Sequence, residues 1–237
     1  MLKIQNFSFS YPNGKKAVDN LNLEIQKGDL FAFIGHNGAG KTTTIKSIAG
    51  ILDFEDGEIF INDVSVKDNA FECKKMIAYI PDNPDLYESL TGIQYLNFIA
   101  DAFKVSKEKR TELILKYSSE FELQNNLNQF ISSYSHGMKQ KLAIISAFIH
   151  DSKLLIMDEP FVGLDPKAAF IVKKLMREFC ENGGAIFFST HVLEVAQKLC
   201  NKIAIIKNGK LLVNGSMESI IKDSSLEDVF MELSGNE

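Results

Sequence analysis

Residues Leu30 to Thr44 read LFAFIGHNGAGKTTT, and their interpretation decides the fold. Four apolar residues, Phe31-Ala32-Phe33-Ile34, run directly into Gly35. A short apolar run closed by glycine is the pattern of a strand buried on both faces. The spacing Gly35-x4-Gly40-Lys41-Thr42 then matches a phosphate-binding loop. Gly35, Gly38 and Gly40 permit positive backbone φ and leave room for main-chain N–H groups to curl around an oxyanion. Lys41 supplies a point charge, and Thr42 a hydroxyl able to coordinate magnesium. Ile45, Ile48, Ala49 and Leu52 follow at i, i+3, i+4 and i+7, so a helix starts here with its N–H groups and dipole aimed at the phosphate. Two other readings compete. One is a Gly-rich turn before a surface helix. The other, a dinucleotide fold, requires G-x-G-x-x-G, whereas the order here is G-x-x-G-x-G and Lys41-Thr42 would have no role.

The chain has 237 residues, enough for one large domain or two small lobes. Hydrophobic content of 45% and charged content of 24% fit a globular protein in water. The formal net charge of −5, with no Lys/Arg-rich block, argues against DNA or RNA as the main ligand. The apolar run Leu142 to Ile149, interrupted by Ser146, is far short of a membrane span. The N-terminal segment MLKIQNFSFSY has no apolar signal character. A membrane role would therefore require a partner to hold the protein there. Cys73, Cys180 and Cys200 show no C-x-x-C pairing and are expected to be reduced thiols in a cytosolic setting.

Outward from the loop, residues 2–26 alternate in short runs, with Pro12-Asn13-Gly14 as a turn, and predict antiparallel strands. Glu58 to Ile61 predicts another strand, and Met76 to Ile80 a further one stopped by Pro81. From Asp82 to His150 the periods are helical. Thr91-Gly92-Ile93-Gln94 has capping-box spacing, Ser106 begins a second helix, and a third runs from about Met138. Strand–helix alternation returns with Leu154–Met157, a helix opened by Asp165-Pro166, the strand Ala185–Phe188 and a helix through Val192 and Leu199. Asn208-Gly209 marks a closing hairpin, and residues 216–237 a helical tail. No internal repeat is evident.

Three further stretches carry chemistry. Asp158-Glu159 follows a buried strand. The first carboxylate suits magnesium and the second can polarise an attacking water, unless the pair merely closes the strand before Pro160. His191 stands beyond a strand end, where ligands collect in such sheets, although a lone histidine is more often a helix-start or core residue. In Tyr134-Ser135-His136-Gly137-Met138, Ser135 caps a helix. Its hydroxyl and the Gly137 N–H either face an anion or cap the helix with nothing bound.

In this order, the stretches resemble the ATP-binding subunit of an ABC transporter over nearly the whole chain. Gly35 to Thr43 is similar to the Walker A loop, and Leu154 to Glu159 to the Walker B strand with its catalytic glutamate. Tyr134 to Met138 resembles the signature, Gly163-Leu164-Asp165 the D-loop, His191 the switch histidine, and Tyr11 the aromatic that stacks on adenine. The resemblance implies an α/β P-loop NTPase core with a mainly parallel sheet (residues 1–81 and 151–215), an N-terminal antiparallel β subdomain within it, an inserted α-helical subdomain (82–150) and a C-terminal helical tail (216–237). It implies ATP held by Tyr11, Gly35, His36, Asn37, Gly38, Ala39, Gly40, Lys41, Thr42, Thr43, Ser135, Gly137 and Asp165. Magnesium is implied at Thr42 and Asp158, with Glu159 and His191 catalytic.

Two positions depart from the family pattern. The signature is usually Leu-Ser-Gly-Gly-Gln, and the Tyr-Ser-x-Gly-Met form here resembles a branch of antibiotic, lipid and polysaccharide exporters. Asp82 stands where a magnesium-contacting glutamine is usual, so its place among the metal ligands is the weakest part of the correspondence. The expected partners are transmembrane permease subunits and a second ATP-binding subunit, identical or not, closing head to tail, with the protein peripheral on the cytoplasmic face of the cell membrane. A soluble ATP-driven switch is the alternative. A P-loop kinase leaves Ser135–Met138 and His191 unexplained.

Overall fold

Alternating apolar residues build the first two strands, β1 (Leu2–Ser10) and β2 (Lys16–Ile25), which pair antiparallel with Leu2 opposite Ile25. The continuous apolar run forms β3 (Leu30–Ile34), buried at every position, and leads into α1 (Lys41–Ile48). Next come β4 (Glu58–Ile61), β5 (Val64–Ser65), α2 (Ala70–Met76) and β6 (Ile77–Ile80). Three helices follow: α3 (Gly92–Ala102), α4 (Lys107–Glu120) and α5 (His136–Phe148). The chain then returns to β7 (Leu154–Asp158), α6 (Pro166–Glu181), β8 (Ala185–Thr190), α7 (Leu193–Leu199), β9 (Lys202–Lys207) and β10 (Lys210–Ser216). It ends with α8 (Met217–Ile221) and α9 (Leu226–Ser234). This computed structural model describes residues 1–12, 14–222 and 224–235. Asn13 of the expected turn, and Asp223, Asn236 and Glu237 of the expected tail, lie outside the described residues.

Two sheets result. The antiparallel sheet has the order β2-β1-β4-β5, and the larger sheet the order β10-β9-β3-β8-β7-β6. In the larger sheet β9, β3, β8, β7 and β6 are parallel, and only β10 runs against its neighbour. Strand alternation sends side chains to two cores. Phe31, Phe33, Ile156 and Phe187 pack toward α1 and the antiparallel sheet. Ala32, Ile34, Leu155 and Phe188 join the core that the helices complete. Five parallel strands with cover on both faces are what the unbroken apolar runs require.

Local differences from the sequence expectations have physical causes. Met76, expected to open a strand, instead closes α2, a short helix whose single buried residue is Cys73, too little to give a period. The helix expected from about Met138 begins at His136, because Ser135 takes the cap and accepts the Met138 N–H at 3.3 Å. Thr91 and Gln94 form the reciprocal capping box on α3. The C-terminal segment packs onto the body of the protein, with Met217 and Leu226 buried in the helix-side core.

Candidate functional site

Strand order places the chemistry. Because β3, β8, β7 and β6 are parallel neighbours, their carboxyl ends lie in a row. From them emerge the Gly35 loop, His191, Asp158-Glu159 and Asp82 respectively. Ligands gather at such an edge in open α/β sheets. A cleft of about 280 Å³ opens there, lined by Tyr11, His36, Asn37, Gly38, Gly40, Lys41, Thr42, Thr43, Asp82, Asp158 and Glu159, with Lys15 and Ala17 beside them.

The loop is shaped by its neighbours. Gly40 adopts φ +109°, and a Cβ there would lie 2.4 Å from Ala17 O. Gly35 plays another part than expected. Its φ is not positive, and what excludes a side chain is Ile206 of β9, whose carbonyl oxygen would be 2.4 Å from a Cβ. Gly209, in the β9–β10 turn, donates its N–H to Ala39 O at 3.0 Å and ties the hairpin to the loop. Gly40 offers α1 no side-chain cap, so the first-turn N–H groups remain available to an anion.

Lys41 is the central cation. Its Nζ donates to Gly35 O at 2.7 Å and His36 O at 3.2 Å, and lies 3.8 Å from Glu159 Oε1. Burial pushes its ammonium below the usual lysine value, while Glu159, Asp158 and Asp82 pull the other way. The other Glu159 oxygen, Oε2, is 3.0 Å from His191 Nδ1. Glu159 has φ +47°, an uncommon conformation for a residue with a side chain. Its N–H is held by Ser189 Oγ at 3.0 Å, and the same hydroxyl donates to Asp158 Oδ1 at 2.5 Å. Ser189 is fully buried and escapes a sequence reading, since a serine at a strand end carries no spacing signal. Burial, with Asp158 and Asp82 nearby, also raises the Tyr79 hydroxyl to about 12. Tyr11 donates to or accepts from Thr43 Oγ1 at 3.0 Å and leaves its ring at the cleft edge.

Ser135, Gly137 and Asp165 do not line this cleft. Asp165 caps α6 by accepting the Ala168 N–H at 2.8 Å and pairs with Lys141 at 2.7 Å. Those two partners, Lys141 first, hold its carboxyl below the usual range. The segment from Tyr134 to Met138 packs on the loop before α6 of its own chain: a Cβ on Gly163 would be 2.5 Å from His136 Cδ2. Ala39 is buried behind the loop.

A phosphate loop at the carboxyl edge of a parallel sheet, facing paired acidic residues, defines a P-loop nucleotide-binding protein. The particular family follows from comparison: the ABC transporter family profile matches residues 18–162, and the chain belongs to that family. It is 32% identical to the ABC-type transporter ATP-binding protein EcsA of Bacillus subtilis, over 98% of this chain and 96% of that one. It is 34% identical to the SkfA peptide export ATP-binding protein SkfE of the same organism, over 90% and 87%. A solved ATP-binding subunit of an ABC transporter superposes with a TM-score of 0.94 at 34% identity, over 99% of each chain. The protein is an ABC ATPase: it binds and hydrolyses ATP as the ATP-binding subunit of an ABC transporter.

Proposed function

We propose that ATP lies with adenine against Tyr11 and its phosphates on the loop from Gly35 to Thr43. Lys41 faces the terminal phosphates. Glu159 takes the proton of the attacking water, and His191, bonded to Glu159 at 3.0 Å, fixes that carboxylate and reaches the γ-phosphate. Thr42 and Asp158 supply hard oxygen donors to the cleft, which Asp82 also lines. They fit magnesium, since Ser189 occupies only one oxygen of Asp158. When bound, that ion neutralises charge on the phosphate oxygens.

The observation that carries the reading beyond a single chain is that Ser135 and Gly137 are not among the residues lining the cleft that holds Lys41, Asp158 and Glu159. Two chains closing head to tail would bring these residues of one onto the γ-phosphate held by the other. Tyr87 and Phe98, exposed and stacked edge to face at 5.5 Å, suit docking to permease subunits, with the protein on the inner face of the cell membrane. Among the described residues no helix is long and apolar enough to cross a membrane. The Tyr-Ser-x-Gly-Met signature favours an exporter.

Mixing inactive chains tests the composite site. A Lys41→Ala chain and a Ser135→Ala chain should each hydrolyse ATP poorly alone. Together they rebuild one intact site per pair, and activity should return. Absence of recovery, with both chains folded, would remove the head-to-tail arrangement of two copies.

A further inference from the structure

We propose that Phe230 is a positioning residue for the phosphate loop, acting through His36. The proposal rests on the nucleotide site described above. Nothing in the loop's own sequence requires an aromatic ring from the far end of the chain, yet α9 is built to present one.

The helix is anchored at both ends to elements that flank β3. At its start Ser225 and Asp228 form a capping box, and Leu226 is fully buried. The Leu226 N–H donates to Gln197 Oε1 of α7 at 3.0 Å. At its end Ser234 O accepts from Lys207 Nζ, at the end of β9, at 3.1 Å. Between these anchors Val229, Phe230 and Leu233 pack against the helix-side core. From this fixed helix the Phe230 ring meets the His36 imidazole, with centroids 5.0 Å apart and planes inclined at 60°.

His36 is the point at which such a contact has leverage. Its carbonyl accepts the Ala39 N–H at 3.1 Å and Lys41 Nζ at 3.2 Å. The orientation of this one residue therefore bears on both the loop turn and the lysine. The opposite side of the loop is braced by Ile206 behind Gly35 and by Gly209 on Ala39. Phe230 supplies the missing brace on the outer side, where the His36 side chain is exposed. Removing the ring leaves the reacting groups in place and lets His36 turn, so the cost falls on nucleotide binding more than on the chemical step.

The test uses the full chain, with the non-hydrolysable analogue AMP-PNP as probe and ATP for kinetics. Phe230→Ala should raise the dissociation constant roughly two- to tenfold, the range of an aromatic pair. KM for ATP should rise with it while kcat changes little. Phe230→Leu keeps apolar packing but loses the ring and should behave like Phe230→Ala, whereas Phe230→Tyr should restore binding. In a His36→Ala background, Phe230→Ala should add nothing. Met231→Ala, on the same helix but exposed, should bind as wild type. Unchanged binding in Phe230→Ala and Phe230→Leu, or an equal loss with and without His36, would overturn the proposal. So would failure of Phe230→Tyr to restore binding. Failure of the nucleotide site itself would show in the wild type, and failure of the positioning role only in the variants.

Discussion

Glu159 bridges two partners: Oε2 lies 3.0 Å from His191 Nδ1 and Oε1 lies 3.8 Å from Lys41 Nζ. A carboxylate fixed from both sides can hold a water in one orientation. Its loss should act on the chemical step. Glu159→Gln is expected to bind ATP near normally and to hydrolyse it about 10²–10⁴-fold more slowly, the contribution of a positioned general base. His191→Ala should slow turnover as well, and the double variant should be little slower than Glu159→Gln, because both act through one carboxylate. Single-turnover kinetics with a parallel binding titration would decide. Unchanged turnover in Glu159→Gln would remove it as the base.

Lys41 should act on binding. Its ammonium is buried among two loop carbonyls and Glu159, and it faces the place proposed for the phosphates. A hydrogen bond to a charged group contributes about 1.5–3 kcal/mol, so Lys41→Ala should weaken ATP binding at least roughly tenfold. A titration with the same analogue settles it. Wild-type affinity in that variant would mean that the phosphate loop lies elsewhere.

Much of this was legible because it is local. The Leu30–Ile34 run, the glycine spacing and the helix that follows are contiguous, so one stretch specified a buried strand, a loop and a helix start. Asp158, Glu159 and His191 could be placed at strand ends, since Asp158-Glu159 follows the apolar run Leu154–Met157 directly and His191 follows Ala185–Phe188 after only Ser189-Thr190. The order β9-β3-β8-β7-β6 was not legible, because every parallel connection crosses over and sequence does not say which strands become neighbours. Ser189 was missed for that reason, its partners Asp158 and Glu159 belonging to the adjoining strand. The helix α2 was missed because one buried cysteine makes no period. The meeting of His36 and Phe230 is a product of packing alone.

Ser189 provides a test of that hidden layer. One buried hydroxyl satisfies the Glu159 N–H and binds the Asp158 carboxylate. Ser189→Ala would leave both without that partner at a buried position behind the cleft, at a cost of about 1–3 kcal/mol each for an unsatisfied buried group. The expected result is a lower urea midpoint together with slower hydrolysis, since Glu159 loses the contact that holds its left-handed backbone. Equal stability and equal kcat in the variant would show that Ser189 supports neither.

A pH effect should arise far from the cleft, at the end of α5. His150 stacks face to face on Phe103, with centroids 3.7 Å apart and planes 9° apart, and only 7% of its surface is exposed. Burial pushes its imidazole down to about 4, against a weaker upward pull from Asp151. In the unfolded chain the value is the ordinary 6.5. The folded value is depressed, so the unfolded chain takes up a proton first as pH falls. The neutral stacked ring therefore favours folding fully above about pH 6.5, and that advantage is lost progressively down to about pH 4. The slope from this group cannot exceed about 1.4 kcal/mol per pH unit. The Lys109–Asp151 pair beside it is exposed at both side chains and adds little between those limits. His150→Phe keeps an aromatic stack and removes the titration. Urea midpoints at several pH values between 7.5 and 5 should fall more steeply for wild type than for His150→Phe. Parallel curves would show that His150 does not set acid sensitivity in this range.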